Sequence, residues 1–251
     1  MSYTMIDGIN IFYERAGSGP CLLILHGNTV SSKMHTALFD NLKEYYNVIS
    51  LDLPGHGKSD RLQEWPIHFW HWQAQFLTKF MKAINVHQYS ILGYSGGALI
   101  AFNLLFLQPD RIKSVIADSF LGLESEIDTV ENIDAERAHA KHLPEVREFW
   151  KNMHGNDWEN IIDQDTNMIK KHHAQYKKYV FGDLSKITTK VFITGSKNDS
   201  MVPRMEDVLN QLKQKNPNFT TILYENGNHP ACLTVMDEYI QDVQNFFNQL
   251  D

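Results

Sequence analysis

Gly93-Tyr94-Ser95-Gly96-Gly97 joins two apolar segments of opposite periodicity. Residues 88–93 before it read as a strand, and residues 96–108 after it read as a helix that stops at Pro109. A serine at such a sharp strand-to-helix bend sits in a strained backbone conformation. The two backbones approach closely there, which requires glycine on either side. The bend lifts the hydroxyl above the sheet edge, at a helix N-terminus where free amides and the helix dipole favour negative charge. The bare G-x-S-x-G pattern also arises as an inert glycine-rich turn. The flanking strand and helix are what make Ser95 a candidate nucleophile.

Working outward, the chain alternates strand and helix. Residues 3–7 and 9–16 read as two strands joined at Asp7-Gly8, a hairpin turn. Residues 21–26 form a continuous apolar run, as expected of a strand buried on both faces, and 46–53 repeat that character up to Pro54-Gly55. Residues 67–84 carry helix-spaced apolar positions. Residues 112–117, 190–194 and 219–225 read as strands, with helical patterns at about 203–215 and 231–249. This order predicts an α/β fold, a parallel sheet with helices on both faces. Residues 119–181 break the alternation. They are helix-like and contain His139, His142, His154, His172 and His173. A structureless loop of that length is uncommon in a compact domain, so a helical insertion is expected. Placed after a strand's carboxyl end, it would roof the usual ligand site of such a sheet.

Three further motifs fall at strand ends. His26-Gly27-Asn28 follows the buried run 21–25. A tetrahedral intermediate needs two amide donors, here expected from Asn28 and from Gly96, with His26 structural. Asn226-Gly227-Asn228-His229-Pro230 joins the last strand to the last helix, where His229 can reach Ser95 as general base. Gly195 to Pro203 follows strand 190–194 and carries Asp199, the expected partner of the far ring nitrogen of His229. Asp118, at the end of strand 112–117, is the competing acid. Asp199 is favoured because the order Ser, Asp, His is then kept with the acid in its expected loop.

With these motifs, and with Asp52-Leu53-Pro54-Gly55-His56-Gly57-Lys58-Ser59-Asp60, the chain resembles the α/β-hydrolase superfamily over nearly its whole length. The resemblance implies an eight-stranded, mostly parallel sheet flanked by helices. It divides the chain into a core of 1–118 and 182–251 and a helical cap of 119–181. It also implies hydrolysis without a metal or organic cofactor. Relatives more commonly have histidine where this chain has Tyr94. Haloalkane dehalogenases and epoxide hydrolases of this fold use aspartate at the elbow, whereas serine indicates acyl transfer. The expected activity is cleavage of a small or medium ester-type substrate through an acyl-enzyme. A C–C bond hydrolase, a haloperoxidase-like enzyme and a non-catalytic ligand receptor are the alternatives. Phe149, Trp150, Met153, Trp158 and Met168 are the expected acyl pocket.

Composition limits the partners. The 251 residues are 43% hydrophobic and 21% charged, with a formal net charge of −7. Such a balance argues against nucleic-acid and anionic-membrane surfaces, and no run approaches the length of a membrane span. Lys170-Lys171 and Lys177-Lys178 read as a solvated helix face. The expectation is a soluble, cytoplasmic monomer or homodimer acting on a small-molecule acyl substrate. Cys21 and Cys232 lie in apolar runs and read as free thiols. The histidines of 139–173 match no ligand spacing, so no metal is expected. Gly55-His56-Gly57-Lys58-Ser59 lacks the glycine spacing of a phosphate loop.

Overall fold

The computed structural model describes residues 1–124 and 127–250. In the core half, β1 (Ser2–Ile6) and β2 (Ile9–Ala16) form a hairpin. Its turn residues Asp7 and Gly8 both have positive φ, 51° and 81°, as the tightest hairpin turns require. Then follow β3 (Cys21–Leu25), α1 (Thr36–Leu42), β4 (Asn47–Leu51), α2 (Phe69–Ala83), β5 (Tyr89–Tyr94), α3 (Gly96–Leu107) and β6 (Ile112–Asp118). Three helices come next, α4 (Ile127–His142), α5 (Pro144–His154) and α6 (Trp158–Gln175). The chain closes with β7 (Lys190–Ser196), α7 (Met205–Lys215), β8 (Thr220–Tyr224), α8 (Ala231–Thr234) and α9 (Met236–Asn248).

The described strands form one eight-stranded sheet in the order β1-β2-β4-β3-β5-β6-β7-β8. β1 and β2 are antiparallel to their neighbours, and the remaining pairs are parallel. Side chains alternate between the two faces, and each face has its own apolar layer. Leu23, Leu25, Ile49, Ile91, Val115, Ala117 and Ile193 pack with α2, α3 and α7. Leu22, Ile24, Val48, Leu92, Ile116 and Phe192 pack with α1 and α9. Burial on both sides is why these strands read as unbroken apolar runs. Fully burying one such aliphatic side chain stabilises the fold by about 1.5–3 kcal/mol. α3 is apolar on every face apart from Asn103, and residues 96–105 of it are buried, as befits a helix enclosed by sheet and neighbours.

The central strand and helix meet at the elbow. A Cβ on Gly93 would lie 2.3 Å from the Gly97 carbonyl oxygen, and one on Gly97 would lie 2.2 Å from the Leu25 carbonyl oxygen. Any side chain at either position would push α3 off the sheet.

Two local readings differ from the structure. The seven residues of α1 have no counterpart in the sequence reading, because one short helix shows too few periods to register. The helix expected over 231–249 is divided at Val235, whose ψ of 44° is not helical. Among the described residues, the stretch between β6 and β7 carries the three α-helices α4, α5 and α6 and is closed at its base. The Tyr179 amide donates to the Leu123 carbonyl at 3.0 Å, beside a bridge between Glu124 and Lys178. No helix among the described residues is long and apolar enough to cross a membrane. Cys21 is half-buried, Cys232 is buried, and both are free.

Candidate active site

Ser95 has φ 54° and ψ −123°, a left-handed conformation that β-carbon sterics disfavour. The surrounding structure holds it there. Its amide donates to the Asp118 carbonyl at 2.9 Å, and its carbonyl accepts from the Ala98 amide at 3.0 Å. Its side chain stands beside the loop after β3. A Cβ on Gly27 would lie 3.1 Å from Ser95 Cβ and 3.5 Å from Ser95 Oγ.

Asp199 and His229 come together from the loops after β7 and β8. His229 Nδ1 lies 2.9 Å from Asp199 Oδ2 and 3.0 Å from Oδ1, so the ring donates to the carboxylate. Asp199 Oδ1 also accepts the amides of Met201 and Val202, each at 2.9 Å. This side chain closing its own turn is an Asx-type arrangement. Burial alone would raise the Asp199 pKa. The hydrogen bond and charge of His229, with the two amides, outweigh it and hold the carboxyl below its usual range. Asn228 ties the two loops together, its Oδ1 accepting from both the His229 amide at 2.8 Å and the Ser200 amide at 3.0 Å. No hydrogen bond joins Ser95 Oγ to His229 among the described residues. Such bonds are often long in unliganded sites and tighten when substrate binds.

Asp118 takes a different place. Its Oδ2 accepts the Cys232 amide at 2.9 Å and its Oδ1 accepts the Thr194 hydroxyl at 2.7 Å. Beside it, Ser119 Oγ accepts the Ala231 amide at 3.1 Å. Asp118 is fully buried, and burial pushes its carboxyl pKa up against these hydrogen bonds. It therefore grips the backbone just after His229 rather than the imidazole.

At the loop after β3, His26 is fully buried. Its Nε2 accepts the Leu53 amide at 3.0 Å, so its Nδ1 carries the proton and donates to the Gly27 carbonyl at 2.8 Å. Burial lowers its pKa. Both ring nitrogens are engaged in holding the loops together. Asn28 sits over the start of α3. A Cβ on Gly96 would lie 3.1 Å from the Asn28 amide nitrogen and 1.9 Å from Asn28 Oδ1. The Asn28 and Gly96 backbones therefore lie close together, next to Ser95.

The alpha/beta hydrolase fold model matches residues 20–160, more than half of the chain. The chain belongs to the alpha/beta hydrolase fold family. Among curated proteins, this hydrolase-fold chain is similar to the dihydrolipoyllysine-residue acetyltransferase component of the acetoin cleaving system of Cupriavidus necator. That match is 34% identical and covers 47% of this chain and 31% of the relative. It is also similar to the pimeloyl-[acyl-carrier protein] methyl ester esterase of Aeromonas hydrophila, 32% identical over 43% of this chain and 41% of the relative. The chain thus spans 31% and 41% of the length of these two relatives. Among solved structures it superposes on a thermophilic esterase from Thermogutta terrifontis, with a TM-score of 0.77 and 17% identity over 99% of this chain and 97% of that one. It superposes equally on a meta-cleavage product hydrolase from Pseudomonas fluorescens, with a TM-score of 0.77 and 15% identity over 100% and 98%. At these identities the likeness is one of fold.

Within the insertion of this hydrolase-fold chain, several of the apolar residues pack against one another. Trp150 and Trp158 stack with ring centroids 5.6 Å apart and form a small core with Ile162, against which Phe149 packs. Their packing holds the inserted helices to one another. Met153 reaches the main body, its sulfur 3.5 Å from the Ser31 hydroxyl. Met168 is buried in the principal core layer. Two further residues contact the loop after β3. Asp165, fully buried on α6, accepts from Asn28 Nδ2 at 2.7 Å, and Trp70 Nε1 donates to Asn28 Oδ1 at 3.1 Å. In the sequence Trp70 lies among the aromatic residues Trp65, His71 and Trp72, and Asp165 is one acid among several on a polar helix, so neither carries a local signal of this contact. A separate groove of about 1070 Å³ opens at the amino-terminal ends of the strands, beside Cys21, Tyr89, Lys113 and Lys190, at the edge opposite Ser95.

Proposed function

We propose that the chain is a serine hydrolase that cleaves a small or medium ester-type substrate through an acyl-enzyme. The observation that carries the reading is the Asp199–His229 hydrogen bond, placed at the same sheet edge as the strained Ser95 bend. Ser95 Oγ attacks the substrate carbonyl carbon while His229 takes its proton. Asp199 keeps the ring in the tautomer whose free nitrogen faces Ser95, and it stabilises the imidazolium that forms. The carbonyl oxygen, now anionic, faces the amides of Asn28 and Gly96. The leaving group departs with the proton from His229. Water then attacks the acyl-enzyme by the same route and frees Ser95.

In this reading residues 119–181 act as a cap over the site. Of the expected acyl-pocket residues, Met153 and Met168 are the better placed, because their side chains reach the main body. Phe149, Trp150 and Trp158 shape the pocket indirectly, through the core of the insertion. The Aeromonas relative is a methyl ester esterase, which agrees with an ester substrate.

The test is a panel of acyl esters, thioesters and lactones, together with a fluorophosphonate probe, applied to wild type and Ser95→Ala. The expected result is covalent labelling and turnover in wild type, with both lost in Ser95→Ala. Turnover retained in Ser95→Ala overturns the mechanism. Labelling without turnover on any substrate overturns the enzymatic reading in favour of a ligand receptor.

A further inference from the structure

We propose that Asp165 is a positioning residue, which aims the Asn28 end of the oxyanion site from within the inserted helices. The inference rests on the reading of Asn28 given under Proposed function.

Asp165 sits on α6 with no exposed side-chain surface, between the buried Ile161, Ile162 and Met168. A carboxylate in such surroundings is costly unless it is fully paired. Its two partners come from opposite sides. Asn28 Nδ2 donates to Oδ1 at 2.7 Å from the loop after β3, and Arg137 Nη2 donates to Oδ2 at 3.2 Å from α4. Arg137 is itself 19% exposed and lies over the Trp150 ring, 5.9 Å from its centroid. The charge pair therefore belongs to the insertion, and its spare oxygen is offered to the main body.

The Asn28 amide is held at both ends. Trp70 Nε1–H can only donate, so it fixes which end of the amide is Oδ1. An ionised Asp165 can only accept, so it takes the Nδ2 end. The side chain cannot turn over without breaking both bonds. That side chain rests against the residue following the nucleophile, since a Cβ on Gly96 would meet Asn28 Oδ1 at 1.9 Å. Locking the Asn28 side chain thus locks the orientation of its backbone amide. The main body supplies Trp70 and the insertion supplies Asp165, so the oxyanion site is complete only while the inserted helices are seated.

The experiment is a double-mutant cycle between Asp165→Ala and Asn28→Ala. Three quantities are measured: kcat and KM on a short-chain p-nitrophenyl ester, affinity for a trifluoromethyl ketone, and Tm. The ketone adds Ser95 to form a hemiketal oxyanion, so its affinity reports the oxyanion site directly. Asp165→Ala is expected to lower kcat by about 10–100-fold with little change in KM, because a misaimed donor acts in the transition state. Ketone affinity should fall by the same factor as kcat/KM. The double variant should be no slower than Asn28→Ala alone, since one residue acts through the other. Losses that multiply in the double variant, or a lowered Tm with unchanged kcat, overturn the proposal. If Asp165→Ala does not fold, the isosteric Asp165→Asn goes through the same cycle. It keeps an acceptor for Asn28, so its kcat loss should be smaller and should vanish in the Asn28→Ala background. An unchanged kcat, or a loss that persists there, overturns the proposal. Retained turnover in Ser95→Ala sinks the functional reading itself. Damage in Ser95→Ala and Asn28→Ala without damage in the Asp165 variants sinks only the present inference.

Discussion

β6 and β7 lie side by side, run in the same direction and each present an aspartate at or just past the carboxyl end, yet the two buried carboxylates meet different partners. Asp118 is the last residue of β6, in register between Tyr94 and Thr194. Strand alternation turns it to the same face as Ile116, toward the layer that contains Cys232 and Tyr239. There it is fully buried and binds backbone and hydroxyl donors. Asp199 lies beyond the end of β7, in a turn that its own carboxylate closes. Free of the strand's alternation, it reaches His229. A carboxylate inside a strand is thus committed to one face, whereas one a few residues past the end can serve the edge.

The contrast is sharpest in parallel alanine substitutions. Asp199→Ala should lower kcat by about 10⁴-fold, the order seen when a triad acid is removed, with Tm little changed. Asp118→Ala should leave kcat within about tenfold and lower stability by about 1–3 kcal/mol, because the Cys232 amide and the Thr194 hydroxyl lose their acceptor. Steady-state kinetics and thermal melts on both variants decide the matter. If Asp118→Ala proves the catalytically damaging change, the acids have been assigned the wrong way round. Ser119→Ala removes the acceptor of the Ala231 amide and should cost about 1 kcal/mol, a fall in Tm of about 2–4 °C.

The smallest effect is in the pH dependence of stability, where the two acids should pull in opposite directions. The Asp199 pKa is lowered in the fold, so its contribution is present above the unfolded carboxylate value of ~3.9 and is lost as pH falls below it. The Asp118 pKa is raised by burial, so the folded chain holds that proton more tightly. Its contribution shrinks as pH climbs from ~3.9 through the folded value. The Tm advantage of wild type over Asp199→Asn should therefore narrow below about pH 4. Its advantage over Asp118→Asn should narrow above that pH. Two parallel curves would contradict the assigned environments.

The parts of this molecule written in short-range pattern are legible without coordinates. The alternation of strands and helices, the hairpin at Asp7-Gly8 and the glycine-flanked bend at Ser95 are each specified within a few residues. α1 escapes because its seven residues span only about two turns, too few for a period to register. The apolar side chains of 119–181 are visible as apolar, but nothing in their spacing distinguishes a pocket lining from a core. In the structure Trp150 and Trp158 pack against each other and against Ile162.

By itself, the sequence determines the α/β architecture and the strand ends at which Ser95, Asp118, Asp199 and His229 must lie. Backbone conformation and apolar period are properties of neighbouring residues, so they can be read locally. Only the tertiary structure decides which acid meets the histidine and what holds Asn28. Asp199 and His229 are 30 residues apart, Asp118 and Cys232 are 114 apart, and Asn28 and Asp165 are 137 apart. A hydrogen bond over such separations depends on which face a strand turns inward and where an inserted helix settles, and both are set by the packing of the whole chain.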